Sequence, residues 1–306
     1  MAIKHFRFLA SSIVLLGLAM PSETFAAVAG YSWYVQGDSD VIAQYDFTGD
    51  SDAERRYDKS PSANHLVEKK VGSPTASTVY GAAGIDATST AVIPGYTDRN
   101  NAWGFFTSQQ IALSNPVSFE TIISPGGTTN GYMAGIHSGS LNRRAYFVAQ
   151  TSPTVLNAIA GDSWSDNRAT LVSPFTMNDW YYLAVTMSYD NLAEQTTIDT
   201  WLADLTAGDS LLTAVDHKVV DGSYLIEDYL GIGLMNSNGN PTEAWKGAID
   251  ELTLYNGLKD TAFFQANLER ILDPAFVPEP STSLMAIFAI LGWMTCSARR
   301  RNRGAR

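Results

Sequence analysis

Along most of the chain, short runs of alternating apolar and polar residues stand between clusters of Gly, Pro, Asn, Asp and Ser. A period of two bounded by turn residues is the pattern of half-buried antiparallel strands. The clearest runs are 41–47, 117–123 and 180–187, rich in β-branched and aromatic residues. Segments 132–136 and 145–150 read as a pair across a turn that carries Gly139. Segment 196–203 reads as the partner of 180–187 across Asp190-Asn191, and 154–160, 230–234 and 247–255 are further strands. A period of 3.6 occurs once in the body. Phe264, Leu268, Ile271 and Leu272 share one face behind Asp260, a suitable N-cap, so a helix is predicted that ends before Asp273-Pro274. No repeat of fixed period is present.

Both ends of the chain depart from this pattern. Lys4, His5 and Arg7 precede a mostly apolar run over 8–20, then Pro21 and the small-residue end Thr24-Phe25-Ala26. This is the layout of a secretory signal peptide cut after Ala26, with Ala27-Val28-Ala29 as a second site; the alternative is an uncleaved anchor. At the far end, Val277-Pro278-Glu279-Pro280 precedes an apolar run over 284–296 and then Arg299-Arg300-Arg301. The prolines keep the chain there extended and reachable. Thirteen helical residues span only ~20 Å against a ~30 Å hydrocarbon core, so the transmembrane segment is placed at about 281–298. The arginines hold its end on the cytoplasmic side. The expected organisation is a signal peptide over 1–26, an arm over 27–40, a domain over 41–274 and a tail over 275–306.

Composition narrows the function of what lies between. The whole chain has 20 basic and 31 acidic residues; without the seven basic and two acidic residues of the two ends, 13 and 29 remain, a net of −16. Such a surface repels nucleic acid and anionic lipid and suits divalent cations, neutral glycans or basic partners. The single cysteine, Cys296, lies in the apolar tail, so the exported part has no disulfide, no Cys-based zinc site and no Cys nucleophile.

The order Val-Pro-Glu-Pro, apolar segment, arginine cluster resembles the PEP-CTERM sorting signal of Gram-negative, exopolysaccharide-producing bacteria. The resemblance implies that the Sec machinery exports the chain and that the tail is held transiently in the inner membrane. It further implies that a membrane-embedded exosortase recognises Pro278-Glu279-Pro280 and releases the mature protein to the cell surface or matrix. The alternative is a permanent tail anchor.

Four stretches of the body resemble the concanavalin A-like, laminin-G-like superfamily. They are Gln44-Tyr45-Asp46-Phe47 with Asp58-Lys59-Ser60-Pro61-Ser62-Ala63-Asn64; Val117-Ser118-Phe119-Glu120-Thr121; Trp180-Tyr181-Tyr182-Leu183-Ala184-Val185-Thr186; and Gly247-Ala248-Ile249-Asp250-Glu251-Leu252. Pro61 stands where the family usually has Gly, and Tyr182 where His is frequent. The resemblance implies an all-β fold, a two-sheet antiparallel jelly-roll sandwich of about six or seven strands per sheet, with one short C-terminal helix.

Candidate chemistry is sparse. Strict alternation puts Asp250 on one face with Ala248, Leu252 and Leu254, where a buried carboxylate needs a cation or several donors. The resemblance implies a structural calcium there, shared with Asp46 and the Asp58 loop, all hard oxygen ligands; the alternative is an Asp that accepts backbone N–H groups. The Glu-x-Asp-x-Glu strand of glucanases of this fold is missing, and the adjacent Asp250 and Glu251 point to opposite faces. No cluster of basic and tyrosine side chains is legible for lyase chemistry. The histidines are scattered, and no nucleophile elbow occurs. Sugar sites use exposed rings beside amides and carboxylates. Trp103 near Asn100 and Asn101, Trp164 near Asp162 and Asn167, and Trp245 near 236–240 have that make-up, and Arg143-Arg144 suits an anionic glycan. The sequence thus leads to a non-enzymatic, exported domain of carbohydrate-binding type with a polysaccharide ligand. A purely structural or adhesive surface protein and a glycoside-acting enzyme are the alternatives.

Overall fold

The computed structural model describes residues 37–85, 89–127, 131–138, 143–162, 167–237 and 240–273. The expected signal peptide, most of the expected arm, the expected sorting motif Pro278-Glu279-Pro280, the arginines Arg299, Arg300 and Arg301 and the 281–298 segment therefore lie outside the described residues, as does Trp164. Among the described residues no helix is long and apolar enough to cross a membrane.

In chain order the strands are β1 (Val41–Tyr45), β2 (Leu66–Val71), β3 (Val79–Ala83), β4 (Thr90–Ile93), β5 (Tyr96–Asp98), β6 (Asn101–Thr107), β7 (Ile111–Ala112), β8 (Val117–Pro125), β9 (Gly131–Ser138), β10 (Arg143–Ser152), β11 (Val155–Gly161), β12 (Arg168–Val172), β13 (Tyr181–Asp190), β14 (Gln195–Asp204), β15 (Thr213–Asp221), β16 (Glu227–Asp228), β17 (Gly231–Ile232), β18 (Leu234–Ser237), β19 (Asn240–Ala244) and β20 (Gly247–Asn256). The helix α1 (Thr261–Leu272) follows. The first sheet runs β15-β14-β13-β8-β20-β4-β3, with β1 also on β20. The second runs β12-β11-β10-β9-β17-β6-β2, with β5, β18 and β19 attached. Pairing is antiparallel except for a single bridge between β19 and β9, at Ala244 and Tyr132. The result, among the described residues, is mostly antiparallel β structure with one short α-helix, consistent with a jelly-roll sandwich.

The core lies between the sheets. Phe119 of the first sheet stacks on Phe147 of the second, ring centroids 4.7 Å apart and planes 8° from parallel. Val117, Leu183, Val185, Met187, Ile198, Leu252 and Leu254 join Phe105, Met133, Ile136, Ala145, Leu156, Ala158 and Leu171 in the same buried cluster. The outer face of the first sheet is closed by α1. The Asp260 carboxylate caps it by accepting the Phe263 N–H at 2.8 Å, and Phe264, Leu268 and Ile271 pack on Ile122, Tyr182, Ala184 and Tyr255. Leu272, predicted on the same face, is exposed at the helix end. Beneath the helix the Glu120 carboxyl accepts the Tyr182 and Tyr255 hydroxyls and the Asn267 amide, at 3.0 and 3.2 Å from Asn267.

Two expectations need correction. Strict alternation in β20 fails, because the register slips between Ile249 and Glu251 opposite consecutive residues of β8, Ile123 and Ile122. That bulge returns Ile249 to the core face with Leu252 and Leu254 and turns Asp250 away from it. Each sheet is also larger than six or seven strands, with eight and ten.

Candidate functional site

A cleft of about 490 Å³ opens at one end of the sandwich, where turns from both sheets meet. Arg143 enters it from the start of β10, and Asp162 from the residue after β11. Tyr189 comes from the end of β13, Ala193 and Glu194 from the β13–β14 turn, and Asp221, Gly222 and Ser223 from the end of β15. The turns are tied to one another. Gly222 N–H donates to the Glu194 carbonyl at 2.9 Å, and the Asn167 amide donates to the Asp221 carbonyl at 2.7 Å. Gln195 donates to the Asp221 carboxylate at 3.2 Å, and the Arg143 guanidinium to the Leu225 carbonyl at 3.3 Å. Gly222 has φ +88°, and a Cβ there would lie 2.7 Å from the Asp162 Oδ1, so only glycine allows the loops to pass this closely.

The lining is polar. Three carboxylates, one guanidinium and one hydroxyl surround a part-buried tyrosine ring. Carboxylates accept paired hydroxyl hydrogens, the guanidinium and Ser223 donate, and the ring offers an apolar face. That set suits a hydroxyl-rich neutral ligand or one with an amine, and three negative charges against one positive disfavour an anion.

The predicted site residues are placed as follows. Asp162 lines the cleft and the Asn167 side chain braces its wall, so two members of the Trp164 group meet there, although Trp164 itself is outside the described residues. Trp103 lies in β6 rather than in a loop. It is part-buried, with the Lys70 ammonium 5.7 Å from its ring centroid. Trp245 is fully buried in the core, and a Cβ at Gly247 would touch its ring at 2.4 Å, so it offers no face to a ligand. Tyr189, Glu194, Asp221 and Ser223 were missed. The Asp190-Asn191 turn was legible, but nothing local joins it to 221–223 or 162.

The three carboxylates assigned to calcium have other partners. Asp58 accepts the N–H groups of Gln44 (2.9 Å), Ser60 (2.9 Å) and Asn64 (2.8 Å) and the Ser62 hydroxyl (2.6 Å), which fastens the 58–64 loop to β1. Asp250 Oδ2 accepts the Ile85 N–H at 2.8 Å and the Ser89 hydroxyl at 2.9 Å. Asp46 accepts the Thr48 N–H at 3.1 Å and lies 3.6 Å from the Lys59 ammonium. Among the described residues no three His, Cys, Asp or Glu side chains are arranged to hold a metal ion. Asp58 thus spends both oxygens, and Asp250 its Oδ2, on hydrogen-bond donors.

The outer face of the second sheet carries the basic and tyrosine cluster that the sequence did not disclose. Tyr132 and Tyr146 stand ring against ring there, centroids 4.6 Å apart, with His137 6.1 Å from Tyr146. Burial raises both hydroxyls well above the ordinary tyrosine value and keeps them protonated. Arg99, Arg144 and Arg168 each act on the Tyr132 hydroxyl in the opposite sense. Burial, and then the Arg144 charge, hold His137 below 6.5, against the pull of Asp228.

No family model and no curated protein sequence matches the chain. Among solved structures it is similar to a native heptameric SAP-like pentraxin from Limulus polyphemus (10% identity, 66% of this chain and 80% of that one, TM-score 0.37). It is similar also to the Trypanosoma rangeli sialidase in complex with sialic acid (12%, 76% and 33%, 0.45) and to a GH54 α-L-arabinofuranosidase soaked with a cyclic sulfate inhibitor (13%, 74% and 52%, 0.41). The chain spans about a third of the sialidase and half of the arabinofuranosidase, and overlaps this shallow say nothing of what it binds.

Proposed function

We propose that this chain is an exported, exosortase-processed surface or matrix protein whose sandwich binds a glycan without transforming it. One observation carries the binding part: the 490 Å³ cleft, with its carboxylates, guanidinium, hydroxyl and tyrosine ring gathered from five separate segments. Its size suits one or two sugar units, and its charge favours a neutral or amino sugar. The export part rests on the signal-peptide pattern of 1–26 and on the order of Pro278-Glu279-Pro280, apolar run and Arg299-Arg300-Arg301. A glycan array probed with the 27–276 protein tests the reading. Retention of neutral or amino glycans, reduced by Glu194→Ala and by Tyr189→Ala, supports it. Release of reducing ends from any bound polymer would show an enzyme instead. A clean negative across the array would leave the structural or adhesive role.

A further inference from the structure

We infer that the free edge of the first sheet pairs with the same edge of a second copy of this chain, β15 against β15, antiparallel about a two-fold axis beside His217. Among the described residues β15 ends its sheet, with no strand beyond it. The Gly222 N–H bonds to the Glu194 carbonyl on the β14 side. Antiparallel hydrogen bonds fall on alternate residues. Val220 and Lys218 therefore also turn their backbone groups to β14, and His217, Val219 and Asp221 turn theirs outward. Asp221 follows this alternation, because its carbonyl accepts the Asn167 amide at 2.7 Å. A Cβ on Gly161 would lie 2.3 Å from that same oxygen, so the connection between β11 and β12 closes the edge there. His217 and Val219 keep their backbone groups on the open side, where a further strand can add.

The side chains choose both the occupant and the register. A two-fold pairing keeps each face of the sheet continuous only when one residue stands opposite its own copy. Centred on Asp216 it opposes two carboxylates, and centred on Lys218 two ammoniums. Centred on Val219 it drives His217 against the closed Asp221. Centred on His217 it sets Asp216 opposite Lys218 twice over, in pairs without backbone bonds, where side chains come closest. It also sets Val215 opposite Val219, and both are exposed. Lys218 is exposed and has no ion-pair partner among the described residues. Asp216 is held in position by the Thr170 N–H, which donates to its Oδ2 at 2.9 Å. The His217 Nδ1 lies 2.6 Å from the Asp199 Oδ1 of β14, which draws the ring back over its own sheet and clear of the axis. A register shift opposite Thr200 and Trp201 leaves Val215 unpaired on the β14 side and keeps the shared ladder short. Asp221 lines the cleft, so the pair carries two clefts ~27 Å apart, a spacing for two points on one polymer. That consequence rests on the glycan reading of the cleft, whereas the pairing does not.

The test is sedimentation equilibrium of the full-length protein, with amide hydrogen exchange at residues 217 and 219 in parallel. Salt at about 0.15 M screens the repulsion between two chains of net −11 beyond ~8 Å. A dimer is expected, with both amides more protected as concentration rises. Lys218→Asp opposes carboxylates at both ends of the ladder and raises the dissociation constant at least about tenfold. Lys69→Asp makes the same change of charge on β2 of the other sheet and leaves the dimer unchanged. Val219→Pro removes an outward N–H without touching the bonds to β14 and abolishes the dimer. Should Val219→Pro not fold, Lys218→Asp at its exposed position still decides. Four results overturn the inference: a monomer up to about 0.3 mM, a dimer unchanged by Lys218→Asp, a dimer weakened equally by Lys69→Asp, or amides protected at every concentration, which would show another segment of this chain covering the edge.

Discussion

Glu251 is fully buried, and neither carboxyl oxygen has a hydrogen-bond donor among the described residues. Burial, and then the neighbouring carboxylates Asp46, Asp250 and Glu120, push its pKa well above 4.5, with only Lys59 acting the other way. A carboxyl so placed folds protonated. Its contribution is complete below the ordinary glutamate pKa and is lost as pH rises from there through its raised folded value. Urea unfolding of wild type and Glu251→Gln between pH 4 and 8 should therefore diverge, with wild type losing stability relative to the variant as pH rises; parallel curves would refute this. Glu120 is the contrary case, a buried carboxyl with its donors supplied. Tyr182→Phe removes one of them and should cost about 1–3 kcal/mol, read from the denaturant midpoint. At this scale the sequence disclosed that Asp250 would be buried and in need of donors, and the structure supplies Ile85 and Ser89. It could not disclose which face Asp250 takes, because alternation assumes an unbroken ladder and the bulge breaks it.

The helix was legible down to its cap, since a cap and a 3.6-residue period are both local signals. Asp260→Ala should lower stability by about 1 kcal/mol, seen as a lower thermal midpoint. The strands with strong alternation or β-branched runs, β1, β8, β13, β14 and β20, were legible for the same reason. Others were not. β15 is an edge strand with nearly all its residues open to solvent, so no apolar face marks it. β6 is interrupted by Gly104, which is needed because a Cβ there would lie 2.6 Å from the Leu234 side chain of the hairpin crossing above. That interruption makes Trp103 read as a loop residue. The turns of the cleft depend on Gly222 in the same way. Gly222→Ala forces an L residue to φ +88° against Asp162, and should abolish glycan retention while costing about 1–3 kcal/mol of stability.

At the scale of the molecule, the two ends and the body address different questions. The export role proposed for the ends rests on short-range patterns, which are visible in sequence without any fold. Replacing Pro278-Glu279-Pro280 with alanines should hold the protein at its unprocessed mass in the membrane fraction; a processed form in the medium would refute the sorting role. The body has its chemistry spread over turns that meet only after two sheets pack. Of the cleft, Arg143, Asp162 and Asn167 were singled out beforehand. The packing brings them together in a polar cleft at the turn end of the sandwich. The most direct test of the central claim is calorimetric titration of the 27–276 protein with a neutral oligosaccharide taken from an array hit, alongside Glu194→Ala. Saturable one-site binding is expected, weakened at least about tenfold in the variant, with no change in the sugar recovered afterwards. Equal affinity in the variant, or recovery of a cleaved sugar, would contradict it.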